Sequence, residues 1–85
     1  MASFEQLVTA VVSTLRELTP REDVELGVIH GFCLDAAQQK APNLISFLSS
    51  VEGLQALSAQ LSRLPDFLQP VGVDGATWHF VQNVS

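Results

Sequence analysis

The fold turns on the stretch Phe67-Leu68-Gln69-Pro70-Val71-Gly72-Val73-Asp74-Gly75-Ala76-Thr77-Trp78-His79-Phe80-Val81, because the periodicity of the chain changes there. Asp74-Gly75 is a dipeptide that tight hairpin turns favour, and β-branched and aromatic residues flank it. The pattern predicts a β-hairpin of about 67–71 and 77–81. Pro70 has no N–H, so it must sit on an edge or at a position that needs no ladder donor. His79 alternates with Trp78 and Phe80 and faces away from the side those two cover. A lone hairpin is marginal in water, so this one must pack on what precedes it. The tail, residues 82–85, is expected to fray.

Upstream, the apolar residues recur on a helical period. Leu54, Leu57, Leu61 and Leu64 fall at i, i+3, i+7 and i+10, a stripe that Pro65-Asp66 ends. Before it, Leu44, Ile45, Phe47, Leu48 and Val51 predict a short helix between the breaks at Lys40-Ala41-Pro42-Asn43 and Ser49-Ser50-Val51-Glu52-Gly53. Thr19-Pro20-Arg21-Glu22 reads as a helix start, with Thr19 as N-cap, Pro20 at the first helical position and Glu22 completing a capping box. Asp23 is a rival N-cap. Val24, Val28, Ile29, Phe32, Cys33, Ala36 and Ala37 continue that helix to about Gln39. Gly27 and Gly31 lie inside it, where they mark either a close backbone approach or a break. The clearest stripe is Phe4, Leu7, Val8, Val11, Val12, Leu15 and Leu18, opened by Ser3 and Gln6 as a capping box.

The order is helix, helix, short helix, helix, hairpin. We read an α+β chain, a small winged helix of three to four helices followed by a C-terminal β-hairpin, with residues 1–85 as a single domain. Residues 53–64 occupy the recognition-helix position.

Composition narrows the chemistry. Four Lys and Arg against nine Asp and Glu give a formal charge of −5, with 15% of residues charged and 47% hydrophobic. Disorder needs the opposite balance. The apolar content and a mean hydropathy of +0.28 predict some exposed apolar surface, the usual mark of a partner site. One cysteine excludes a disulfide framework and a Cys-based zinc site. No apolar run approaches the roughly 20 residues that span a bilayer. The N-terminal residues show no basic region or apolar run of a signal peptide, so a soluble intracellular chain is expected.

Catalytic equipment is sparse. Cys33 sits on the apolar stripe and reads as a small buried hydrophobe. His30, on the opposite side of the same helix, lacks an orienting carboxylate at i±4 and reads as solvated. Glu22, Asp23 and Glu25 complement a helix dipole rather than form a metal site. Neither glycine lies in a strand-to-helix turn, so no phosphate loop is present. No enzyme, cofactor or metal is expected. The segment from Leu54 to Leu64 carries one cation, Arg63, and the hairpin carries none, so phosphate anchoring of major-groove DNA is not expected. Contacts with RNA would use Lys40, Gln55, Arg63 and His79. Expected protein-contact residues are His30, Gln60 and Trp78.

One resemblance unites these elements. Phe4–Leu18 is followed by Leu26-Gly27-Val28-Ile29, then by Gly53-Leu54-Gln55-Ala56-Leu57, then by Leu61-Ser62-Arg63-Leu64-Pro65-Asp66-Phe67 and finally by Gly75-Ala76-Thr77-Trp78-His79-Phe80-Val81. In this order the chain resembles the LOTUS domain, also called OST-HTH, over nearly its whole length, mostly through core and turn residues. The resemblance implies a non-catalytic module of RNA-regulating proteins, of a kind found beside NYN-type ribonuclease domains or with germline RNA regulators. It implies a protein partner such as a DEAD-box RNA helicase or a ribonuclease domain of the same pathway. It also implies structured, G-rich RNA as a ligand, and in some members a homodimer. The charge of −5 shifts the expectation toward protein contacts. Membrane association is not expected, and the expected compartment is the cytoplasm, with RNA granules or the nucleus as alternatives. The competing reading is a pure protein-association domain that homodimerises and has no nucleic-acid role.

Overall fold

The structure, a computed structural model, describes residues 3–19, 22–64, 68–71 and 76–81. Its elements are α1 (Phe4–Leu18), β1 (Asp23–Glu25), α2 (Leu26–Lys40), a 3₁₀ turn (Pro42–Leu44), α3 (Ile45–Leu48), α4 (Val51–Ser62), β2 (Leu68–Val71) and β3 (Thr77–Phe80). Among the described residues, four helices and a small antiparallel sheet make a winged-helix-like α+β fold around one core cluster. The expected Asp74-Gly75 turn, the Pro20 helix start, the Pro65-Asp66 stop, Phe67 and the tail lie outside the described residues.

α1 forms as its sequence implies. Ser3 Oγ accepts from Gln6 N at 3.3 Å while Gln6 Oε1 accepts from Ser3 N at 3.0 Å, so two otherwise unpaired donors are satisfied. Leu7, Val8, Val11, Val12 and Leu15 are buried. Leu18, expected in the same stripe, is exposed.

The next segment departs from expectation. Thr19 does not start a helix. It closes α1, with its N–H and Oγ1 both donating to Leu15 O, at 2.8 and 3.0 Å. Asp23-Val24-Glu25 is a strand, and it joins the hairpin as a third member in the order β1-β3-β2. Val24 pairs with Trp78 across this antiparallel ladder and buries its side chain while Asp23 and Glu25 stay exposed. Three strands meet the requirement that a two-stranded hairpin leaves unmet. Helix α2 therefore begins at Leu26, after an extended Glu25 whose side chain makes no capping bond. It runs through Gly27 and Gly31 without a break, and a methyl added at either would meet nothing within 4 Å.

The buried face of α2 is Ile29, Cys33 and Ala37, flanked by the half-buried Leu26, His30 and Leu34. Val28 and Phe32, expected in the core stripe, lie at its exposed edge. The burial centre is rotated from the expected one toward His30, whose ring meets the Leu48 carbonyl of α3; the apolar pattern alone is symmetric enough to allow either face.

Between α3 and α4 the chain turns in two residues, Ser49 and Ser50. Ser50 is the N-cap of α4. Its Oγ accepts from Gly53 N at 3.1 Å and donates to Phe47 O at 2.6 Å. Gly53 lies so close to the preceding helix that an added methyl would fall 1.7 Å from Phe47 O and 2.9 Å from Leu48 Cα. Both obstacles are backbone, so neither can swing aside. Leu57 and Leu61 are buried, Leu64 is half-buried, and Leu54 is exposed.

β2 and β3 confirm the hairpin, with Leu68 opposite Phe80 and Val71 opposite Thr77. Pro70 lies on the edge strand β2, where a missing ladder donor is tolerated.

The two kinds of glycine should respond in opposite directions. Gly53→Ala is expected to destabilise by at least about 3 kcal/mol, beyond the usual overpacking range. Gly31→Ala should stabilise by about 0.5–1 kcal/mol, since it adds helix propensity in open space. Urea unfolding of both variants measures the contrast, and equal effects would contradict the close approach at Gly53.

Candidate functional site

The residues expected at a site are scattered by the fold. Lys40 is exposed in the last turn of α2. Gln55 is exposed on α4, and Arg63 is its exposed C-cap. His79 is in the central strand β3, between Asp23 of β1 and Gln69 of β2 in register. It projects to solvent, as its alternation with Trp78 and Phe80 implies, and its Nδ1 donates to Asp23 Oδ1 at 2.6 Å. This pair joins residues 56 apart in sequence, so no local spacing could have announced it. Both side chains are about half-exposed, and such pairs contribute little stability in water.

His30 and Trp78 are structural rather than superficial. His30 is half-buried, and its Nε2 donates to Leu48 O at 2.5 Å. The expectation of a solvated His30 fails because its ring is turned toward α3, onto the Leu48 carbonyl. Trp78, expected at a protein contact, is 2% exposed and lies in the core with Phe80 and Leu68. Its Nε1 is buried and has no hydrogen-bond partner among the described residues. Gln60 is half-buried on α4.

Cys33 lies in the core as expected, fully buried on α2. Desolvation by that burial pushes its thiol up to about 11, against 9.0 for an ordinary one, because the thiolate would have to leave water. A nucleophile needs the reverse, a lowered pKa and access. Among the described residues, no group of three or more His, Cys, Asp or Glu is placed to hold a metal ion.

The surface shows a different concentration of features along α1 and α2. One cavity of about 440 Å³ is lined by Leu15, Leu18, Val24, Val28 and Phe32, with Glu22, Asp23 and Glu25 at its rim. A second, of about 310 Å³, lies between Ala10, Val11 and Thr14 on α1 and Asp35, Ala36, Gln39 and Lys40 on α2. Phe32 lines both. The groove is not visible in the apolar pattern, which puts Val28, Phe32 and Leu18 on core stripes. Their apolar character was legible, but the side of the helix they would occupy was not. The exposed residues of α4 are mixed and include no cation: Val51, Leu54 and Ala59 stand among Glu52, Gln55 and Ser62.

Among the described residues, no helix is long and apolar enough to cross a membrane.

A buried, alkaline thiol predicts a pH signature. The folded-state pKa is raised, so the contribution of Cys33 is fully present below about pH 9 and is lost as pH rises toward about 11. Cys33→Ala should flatten this part of the stability-versus-pH curve while lowering stability at neutral pH by about 1 kcal/mol through lost packing. Native protein at pH 8 should also resist a thiol reagent until it is unfolded. Rapid labelling of the folded protein would contradict the burial.

Comparison with known proteins finds no matching family model, no matching curated protein and no matching solved structure.

Proposed function

We propose that the chain is a non-catalytic, LOTUS-like interaction module of an RNA-regulating protein, and that it works mainly through a protein partner. The observation that carries this reading is the element order. A helix, a strand, further helices and a closing hairpin leave α4 at the recognition position, and the Trp78 and Phe80 of the sequence pattern form the floor of the sheet. The arrangement supports a binding module over an enzyme: the thiol is sealed and alkaline, and both histidines are hydrogen-bonded, His30 to a backbone carbonyl and His79 to a surface carboxylate.

Electrostatics supports protein over RNA as the main partner. Lys40 and Arg63 are exposed but lie on different elements, and the net charge is −5. Two cations neutralise about two phosphates, so RNA binding through them would follow log salt with a slope of only about −1.4 to −1.8. Structured, G-rich RNA is then a secondary ligand, with Gln55 and His79 supplying polar contacts.

Fluorescence titrations with a quadruplex-forming RNA, with oligo-uridine and with a DEAD-box RNA helicase test this reading at low and physiological salt. The expected result is saturable helicase binding that persists at physiological salt, and weaker quadruplex binding with the shallow slope given above. Absence of binding to both at low salt would overturn the reading.

A further inference from the structure

The groove along α1 and α2 has a defined length, an apolar floor and an asymmetric rim. Leu18, Val28 and Phe32 are 66%, 45% and 43% exposed, far above the core residues beside them. They lie together at one end, with Leu15 and Val24 beneath. The second cavity extends the groove past Phe32 toward Ala10 and Lys40. Leu15 and Leu18 face Val28 and Phe32, while Ala10 and Thr14 face Ala36 and Gln39, so the two helices run antiparallel along it. From Leu18 back to Ala10, and from Val28 on to Lys40, the groove spans about 12–18 Å, or about 8–12 helical residues.

The rim charge is polarised. Glu22, Asp23 and Glu25 surround the Leu18–Val28 end, whereas at the other end Asp35 is balanced by Lys40. A helix laid in the groove has a positive N-terminal and a negative C-terminal dipole end. We infer that this groove is the docking site for a basic amphipathic helix of about three turns from a partner protein, seated with its N-terminus at Glu22 and Glu25 and its C-terminus toward Lys40. Its apolar residues, at i, i+4, i+7 and i+11, enter the two cavities on either side of Phe32. Lysines or arginines in its first turns face the acidic rim. The open surface at Gly27 and Gly31 adds no side chain that would hold a partner away from Val28 and Phe32. Charge complementarity selects this occupant over a second copy, since two chains of charge −5 would bring like-charged surfaces together.

The inference rests on the interaction-module reading only in treating the face as a docking surface, and it requires neither RNA nor the family resemblance. The isotope-labelled 85-residue chain is titrated with a synthetic 14-residue peptide carrying leucines at i, i+4, i+7 and i+11 and lysines beside them. A second peptide replaces every lysine with glutamate. The lysine peptide should shift the amides of Thr14, Leu18, Val28 and Phe32 and saturate, and the glutamate peptide should bind at least about tenfold more weakly. Phe32→Ala and Leu18→Ser should each weaken the lysine peptide by about fivefold or more. Val51→Ser, at an exposed apolar residue of α4 outside the groove, should leave it unchanged. The inference is overturned by failure of the lysine peptide to bind, by shifts centred elsewhere, by equal affinity for both peptides, or by indifference to both groove variants. Sedimentation showing that the protein dimerises through these same residues would overturn it in favour of a second copy. None of these outcomes alters the helicase and RNA titrations, which fail or succeed independently.

Discussion

The corner between α3 and α4 is where backbone meets backbone, and the placement of the last three elements depends on it. Gly53 sits against the Phe47 carbonyl at a separation no side chain can share. Ser50 ties the same carbonyl to the first turn of α4 through its hydroxyl and its amide. One residue on, the Leu48 carbonyl is held by His30 from α2. Consecutive carbonyls of a four-residue helix are thus anchored from both sides, by α2 and by the start of α4. That fixes the direction in which α4 leaves, and so the delivery of Leu57 and Leu61 to the core and of β2 to the sheet. So short a helix has little stability of its own; it persists because its neighbours use its carbonyls.

The sheet solves a second problem. A hairpin with Pro70 in one strand is a weak structure on its own, and the chain strengthens it by borrowing three residues from between α1 and α2. Val24 then covers Trp78 from one side while Leu68 packs opposite Phe80 on the other. The inner face is sealed, and the outer face carries Asp23, His79 and Gln69, all polar. Because β1 draws the chain into the sheet, α2 starts six residues later than a Pro20 start implies. The acidic segment that looked like a helix N-terminus becomes instead the rim of the α1–α2 groove.

That displacement links the fold to the proposed role. Had Glu22, Asp23 and Glu25 formed the first turn of α2, their charge would have answered a helix dipole within the chain. As strand and connection residues they face outward beside Leu18, Val28 and Phe32. An apolar floor with an anionic edge favours a basic, apolar partner and disfavours a nucleic acid, which matches the sparse and separated cations Lys40 and Arg63. The proposed interaction surface follows from a topological detail rather than from any motif.

Much of the architecture was readable from residue patterns. The α1 capping box, the hairpin and its edge proline, the outward turn of His79 and the burial of Cys33 all depend on short-range geometry, a period of 3.6 or 2 and a few capping bonds, which neighbouring residues specify by themselves. Tertiary structure alone decided the rest. A three-residue strand has too few residues to show alternation, and Asp23-Val24-Glu25 exists only because β3 offers it a ladder. The phase of α2 depended on where α3 came to lie, which moved His30 inward and Val28 and Phe32 outward. The Asp23–His79 pair and the contact at Gly53 join segments whose separation in space is set only once the whole chain has packed. Local sequence determined which elements form and which side chains are apolar; which apolar side chains stay in water was decided by how those elements meet.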